Sequence, residues 1–377
     1  MKLILSVEPV RFPLTGIGRY TYELAKGMLA VNTFDEFRLF SGVRFISDLP
    51  EPVDQSPASH DFRRLAQKSR LVTSLYGVLM PLIRKRALSG FDAFIYHSTN
   101  FFLPPFPGRK VATFHDLSPF TWSQCYDPAK IGYLQRGLSN TLHTADALIT
   151  DSEYTRRELA EFASWPLERI HAVPLAAGPE FQPRNEADIG LILEHYGLSY
   201  RGYTLFVGTI EPRKNIIALL DAYGRIPREV RERYPLVLSG HQGWKSEQIH
   251  DRIRQAESEG WVRYLGFLPA AHLPGLYSGA RLFAFPSLYE GFGLPVLEAM
   301  QSGVPVVCSN SSSLPEVAGG AALTVESADV VGLSENMRRV LLDEELAGSL
   351  TEKGLQRAGE FRWQSTVART YDVYASM

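Results

Sequence analysis

The chain has 377 residues, 45% hydrophobic and 21% charged, with a formal net charge of −2. That length is long for one domain and comfortable for two, and the composition is that of a globular protein able to bury a core in each. The charge balance argues against a surface built for nucleic acid. The only two cysteines, Cys125 and Cys308, lie far apart with no Cys/His cluster around them, which suggests neither a disulfide framework nor a zinc site and fits a reducing compartment.

The first nine residues carry one lysine and a short apolar run stopped by Glu8 and Pro9. A signal peptide needs a longer apolar region and a cleavage site, so a buried strand at 2–7 is expected. Further strands are expected at 36–40, 93–96, 110–114, 147–150 and 170–173, with helical periodicity at 18–30, 129–142 and 153–162. The Pro- and Gly-bearing stretch 176–184 reads as an interdomain linker. A second series of strands follows at 204–207, 236–239, 262–265, 282–285, 304–308 and 322–325. Strand–helix alternation implies parallel sheets covered on both faces. The expected fold class is therefore α/β, with two Rossmann-like doubly wound domains at 1–180 and 181–360 facing a central cleft. In such sheets ligands bind beyond the carboxyl ends of the strands. A tail at 361–377 with Phe361, Trp363, Tyr371 and Tyr374 reads as an amphipathic helix placed to pack back on the first domain. No apolar stretch approaches the ~20 residues of a membrane span, and a cytoplasmic location is expected.

Four segments carry chemistry. The first runs from Pro286 to Met300, follows a strand and opens a helix. Gly291 and Gly293 permit close backbone approach. Pro295 sits where the first helical turn begins, so the amides of Phe292, Gly293 and Leu294 can point outward to phosphate or sugar oxygens. Glu290 and Glu298 flank this turn, and one could hold a sugar and the other a ribose; the alternative is an ordinary glycine turn with two solvated acids. The second is Gly208-Thr209-Ile210-Glu211-Pro212-Arg213-Lys214-Asn215. Arg213 and Lys214 at a helix start oppose the helix dipole, which favours an anion site such as a pyrophosphate over a purely structural role. The third is Thr113-Phe114-His115-Asp116, where His115 at a strand end could donate to a transferred sugar or simply be capped by a neighbouring loop. The fourth is Gly16-Ile17-Gly18-Arg19-Tyr20, which departs from the dinucleotide fingerprint because Thr21 stands where its third glycine would be.

Together these elements resemble the retaining GT-B glycosyltransferases of family four, from Gly16 to the tail around Trp363. The family's E-x7-E motif stands here as Glu290 and Glu298. The resemblance implies that Arg213 and Lys214 bind the donor diphosphate, with Gly208 also on the donor side, that Glu298 holds the ribose, and that Glu290 and the amides of Gly291 to Leu294 hold the sugar. His115 would contact that sugar near the reacting carbon, Gly266 and Phe267 would line the base pocket, and Gly16 and Gly18 would close over phosphates or shape the acceptor side. Arg19, Tyr20 and Asp116 are expected on the acceptor side. No metal and no cofactor beyond the nucleotide-sugar co-substrate is implied; the sequence has no D-x-D. The stretch from His97 to Asn100 and on to Pro119 resembles bacterial mannosyl- and rhamnosyltransferases of polysaccharide assembly, which implies a GDP-sugar donor and a lipid-linked or oligosaccharide acceptor. A UDP-sugar transferase and a non-catalytic nucleotide-sugar-binding protein stay as alternatives. The segment 61–88 carries Arg63, Arg64, Lys68, Arg70, Arg84, Lys85 and Arg86 among apolar residues. It reads either as a surface for an anionic inner membrane or as a core-packed helix with a basic outer face.

Overall fold

The computed structural model describes residues 1–50 and 70–377, apart from Pro13 and Asn32. Two sheets organise the chain. The first contains β1 (Lys2–Ser6), β2 (Glu36–Phe40), β3 (Phe45–Ile46), β4 (Phe94–Ser98), β5 (Arg109–Phe114), β6 (Ala147–Thr150) and β7 (Ile170–Ala172), in the order β3-β2-β1-β4-β5-β6-β7. The second contains β8 (Thr204–Val207), β9 (Leu236–Ser239), β10 (Val262–Tyr264), β11 (Leu282–Phe285), β12 (Val306–Ser309) and β13 (Leu323–Val325), in the order β10-β9-β8-β11-β12-β13. All pairs are parallel except β2–β3. Both orders reverse at one point, between β1 and β4 and between β8 and β11, where a doubly wound sheet opens a crevice for ligands.

Strand interiors such as Leu3-Ile4-Leu5 and Phe283-Ala284-Phe285 are wholly buried, as strands covered on both faces must be. Several strand boundaries differ from the sequence reading, and one strand is added to it. Strand β4 continues through His97 and Ser98 because His97 finds buried partners. Strand β12 starts at Val306, since Pro305 has no N–H to give a ladder. The antiparallel β3 is two residues long, too short to leave a pattern.

The helix Trp363–Ala375 returns to the first domain and lies along the helix Gly16–Val31. A Cβ at Gly27 would sit 2.4 Å from Val367, so only glycine admits this approach. Phe34 and Tyr371 rings meet edge to face at 5.5 Å. Trp363 Nε1 donates to Ala177 O at 3.2 Å and Thr366 Oγ1 to Pro174 O at 2.7 Å, which ties this helix to the linker. Cys125 and Cys308 are buried free thiols.

Candidate active site

The loops after β8 and β11, neighbours at the switch point, pack on each other. Asn215 takes a left-handed conformation (φ 57°), and its amide donates to Pro286 O and Ser327 O at 3.1 and 2.9 Å. Leu288 N donates to Arg213 O at 2.9 Å. These bonds bring Arg213, Lys214 and Glu290 into one cluster. Lys214 Nζ lies 2.5 Å from Glu290 Oε1, with Ser287 Oγ donating to the same oxygen at 2.6 Å. Arg213 donates to Tyr289 O at 2.8 Å and to Glu211 at 3.0 Å, and lies 3.4 Å from Glu290 Oε2. Lys214 is 7% exposed and Glu290 8%, so the charges see little water. Burial pushes Glu290 up, but Lys214 and Arg213 outweigh it and hold the acid below its ordinary value. Burial pulls Lys214 below its usual range against the attraction of Glu290. Burial also opposes the charge on Arg213, yet Glu290 and Glu211 lift it above the arginine range. Each cation is therefore answered by an acid that a diphosphate could replace.

Gly293 caps the helix Leu294–Gln301 with φ 109°, a conformation suited to glycine, while Leu314 fills the space a Cβ would need. The amides of Phe292, Gly293 and Leu294 donate to no group among the described residues. Glu298, one turn further, lies outside the Arg213–Lys214 cluster. Its electrostatic neighbours are Arg19, Tyr277 and Glu180, and burial pushes it up to about 7 against the pull of Arg19 and Tyr277. Gly208, Gly240 and Gly266 line the tips of β8 to β10. Gly208 O would lie 1.8 Å from a Cβ at Gly240, which leaves room for glycine alone. Phe267 is 60% exposed beside His241, with ring centres 5.9 Å apart.

Across the cleft the two domains touch. Ser152 and Thr155 hydroxyls donate to Gly291 O at 2.6 and 3.0 Å. Tyr289 OH accepts from Leu117 N at 2.9 Å and donates to Glu158 at 2.6 Å. Glu316 accepts from the amides of Glu153 and Tyr154 at 2.9 and 3.1 Å, capping a helix of the other domain. Gly291 presses on the His115 carbonyl so closely that a Cβ would lie 1.7 Å from it.

Several expectations on the first domain need correction. Both His115 nitrogens are engaged within that domain, Nδ1 with Asp151 at 2.7 Å and Nε2 with Thr99 O at 3.0 Å. Neither is free to donate to a sugar in this arrangement. Tyr20 is buried, its hydroxyl 2.9 Å from Thr113 Oγ1, so it supports the sheet tip instead of facing an acceptor. Arg19 turns to Glu180 in the linker and over the Phe181 ring. Gly18 is buried against Pro9 O, whereas Gly16 is open. Asp116 remains partly exposed and accepts from Ser118 N and Oγ at 2.9 and 2.6 Å. The sequence reading missed Glu211, Ser287, Tyr289, Ser152, Glu158 and Glu316. Ser287 and Tyr289 lie within the segment Pro286–Met300 and Glu211 within Gly208–Asn215, so these three were within reach of the motifs.

Beside the tips of β1 and β4 lies a cavity of about 610 Å³, lined in part by Glu8, Arg11, Asn100, Phe102, Tyr133 and Asn140. Residues 61–69 of the basic segment lie outside the described residues. From residue 70 the segment is a helix, Arg70–Ala87, on which Leu79, Leu82 and Ile83 are exposed. Arg84 departs from a basic outer face, because it turns inward to Glu8 at 2.7 Å. No helix among the described residues is long and apolar enough to cross a membrane.

Residues 199–357 match the family model of the glycosyl transferases group 1. The whole chain is 41% identical over 378 aligned residues to the O-antigen chain mannosyltransferase B of Escherichia coli, covering 99% of each. The chain belongs to the glycosyl transferases group 1. The transferase is also 35% identical over 268 residues to the serotype-specific mannosyltransferase WbdA of Escherichia coli, spanning 69% of this chain and 32% of that one. Its fold is GT-B: it superposes on the sucrose-phosphate synthase of Thermosynechococcus elongatus with a TM-score of 0.74 at 19% identity, over 100% of this chain and 99% of that one. It superposes on WaaG, a glycosyltransferase involved in lipopolysaccharide biosynthesis, with a TM-score of 0.70 at 14% identity, over 98% and 99%.

Proposed function

We propose that this transferase moves a mannosyl group from a GDP-sugar to a growing O-antigen-type polysaccharide carried on a lipid. The observation that carries the reading is the 41% identity, end to end, with O-antigen chain mannosyltransferase B. Chemistry at the site supports a nucleoside diphosphate sugar as donor. When the diphosphate arrives it takes Arg213 and Lys214 from their acids. Glu290 is then released to accept hydrogen bonds from sugar hydroxyls, beside the free amides of Phe292 to Leu294. Glu298 receives the ribose, and Phe267 with Gly266 the base. The charge that grows on the departing diphosphate is stabilised by the two cations, so the step needs no metal. Transfer proceeds on the face the diphosphate leaves: the bond from the anomeric carbon to the phosphate oxygen breaks, the acceptor oxygen bonds to that carbon, and the departing phosphate oxygen takes the acceptor hydroxyl's proton, with retention at the anomeric carbon.

The acceptor saccharide enters from the side of the β1–β4 cavity, whose aromatic and amide groups suit a sugar. Leu79, Leu82 and Ile83, with exposed Lys85 and Arg86 beside them, rest on an anionic membrane surface and bring the lipid-linked end of the acceptor close. A thermal-shift series with GDP-, UDP- and ADP-sugars tests the donor, since specific binding raises apparent stability with ligand concentration. GDP-mannose is expected to give the largest shift; a larger shift with a UDP-sugar would overturn the GDP assignment. Co-sedimentation with anionic vesicles tests the membrane contact, which Leu82→Asp is expected to weaken.

A further inference from the structure

Asp151 stands directly after β6, 3% exposed, with Oδ2 2.7 Å from His115 Nδ1. Its other oxygen, Oδ1, is buried without a hydrogen-bond partner among the described residues. The second ring nitrogen, Nε2, faces the Thr99 carbonyl at 3.0 Å. A carbonyl oxygen only accepts, so Nε2 carries a proton. The proton between Nδ1 and the carboxylate then sits on the ring or on the acid. Either way ring and acid together hold one proton more than a neutral imidazole beside a carboxylate.

The groups around this pair come from every element that packs there. The Tyr20 ring stands edge-on at 5.0 Å from the helix Gly16–Val31. From β4 comes His97, pushed down to about 3 by burial and by His115, and held between Tyr374 OH at 2.5 Å and Thr113 Oγ1 at 2.9 Å. Asp116 follows His115 in the chain. From the second domain comes Gly291, against the His115 carbonyl.

We infer that Asp151 is a positioning residue for the transfer: with Thr99 it clamps the His115 ring inside the first domain, so that the His115 main-chain carbonyl is what meets the loop 290–293. This inference rests on the reading that the loop 290–293 holds the donor sugar. Burial alone would take the proton from His115, and Asp151 is the largest of the opposing influences, followed by the Thr99 carbonyl and Asp116. Asparagine at 151 could still donate to Nδ1, keeping the ring in place but neutral. Alanine would remove the anchor as well.

The test uses the full-length enzyme with its sugar nucleotide and a saccharide acceptor, reading kcat, donor KM and melting temperature between pH 6 and 9. Asp151→Ala is expected to lower kcat about 10- to 100-fold with little change in donor KM. Asp151→Asn, which can still donate to Nδ1 and hold the ring, should recover most of that kcat across this pH range. In a His115→Gln background Asp151→Ala should have no further effect. An Asp151→Asn variant as slow as Asp151→Ala, or an Asp151→Ala effect undiminished in the His115→Gln background, would overturn the inference. Lys214→Ala separates the two failures: if it abolishes donor binding while the Asp151 variants are silent, only the clamp is wrong. If it leaves donor binding intact, the reading beneath the clamp is wrong.

Discussion

Both sheets end their strands at the same cleft, yet the polar groups at the two sets of tips are held in opposite ways. After β8 and β11, Arg213 and Lys214 are paired with Glu211 and Glu290, acids that a more highly charged ligand can displace. After β4, β5 and β6, Thr99, His115 and Asp151 are linked through the His115 ring, with His97, Thr113, Tyr20 and Tyr374 in a second network beneath them. One side offers charge that can change partners, and the other a braced surface. The difference teaches that matching sheets do not imply matching tips: the second domain holds its charges in ion pairs, while the first locks its polar groups into a hydrogen-bonded network.

Removing the exchangeable charge should have the largest effect. Lys214→Ala leaves buried Glu290 with Ser287 and the more distant Arg213 but without its close cation, and turnover with GDP-mannose and a saccharide acceptor should fall about 100- to 1,000-fold. Next comes the point where the two sides meet. Gly291→Ala puts a methyl group 1.7 Å from the His115 carbonyl, so the cleft cannot close as seen. Its kcat should fall about 100-fold while calorimetry still detects GDP. Gly18→Ala, whose added carbon would lie 3.0 Å from Pro9 O, should by contrast cost only a few-fold in rate.

The braced side should respond in stability before rate. Tyr374→Phe strips a partner from buried His97 and should cost about 1–3 kcal/mol, read as a lower melting temperature with an unchanged donor KM. The smallest effect belongs to Glu298, raised from 4.5 to about 7 in the folded protein. The native state then binds this proton more tightly than the unfolded chain does. Its stabilising contribution is complete below pH 4.5 and is lost as pH rises through 7. Glu298→Gln should therefore match the wild type at pH 5 and exceed it by about 1 kcal/mol at pH 8, measured as a difference in melting temperature.

The exchanging side was legible because it is local in sequence. Gly208–Asn215 and Pro286–Met300 are each a strand end, a turn and a helix start, and the reversal between β8 and β11 sets them side by side. What that pattern could not reveal is that Glu290 turns to Lys214 while Glu298 turns to Tyr277 and Arg19. The braced side was nearly invisible, since Tyr20, His97, Thr113, Asp151 and Tyr374 come from five separate elements that only the closed fold assembles. A polar His97-Ser98 looked like the end of a strand because nothing nearby in sequence satisfies it; its partners are 16 and 277 residues away. Arg19 and Tyr20 adjoin a glycine motif that suggested ligand contact, but the helix turns one toward the linker and the other into the core.

The polypeptide crosses between the domains twice, once through the segment before Asn185 and again before Trp363, and Ala177 and Pro174 accept hydrogen bonds from Trp363 and Thr366. A single tether would let the halves swivel. Two tethers laced side by side hinder twisting of one half against the other, as paired pins do for a door. Cutting either crossing alone would leave the lobes attached through the other, with Gly291 still facing the same peptide carbonyl.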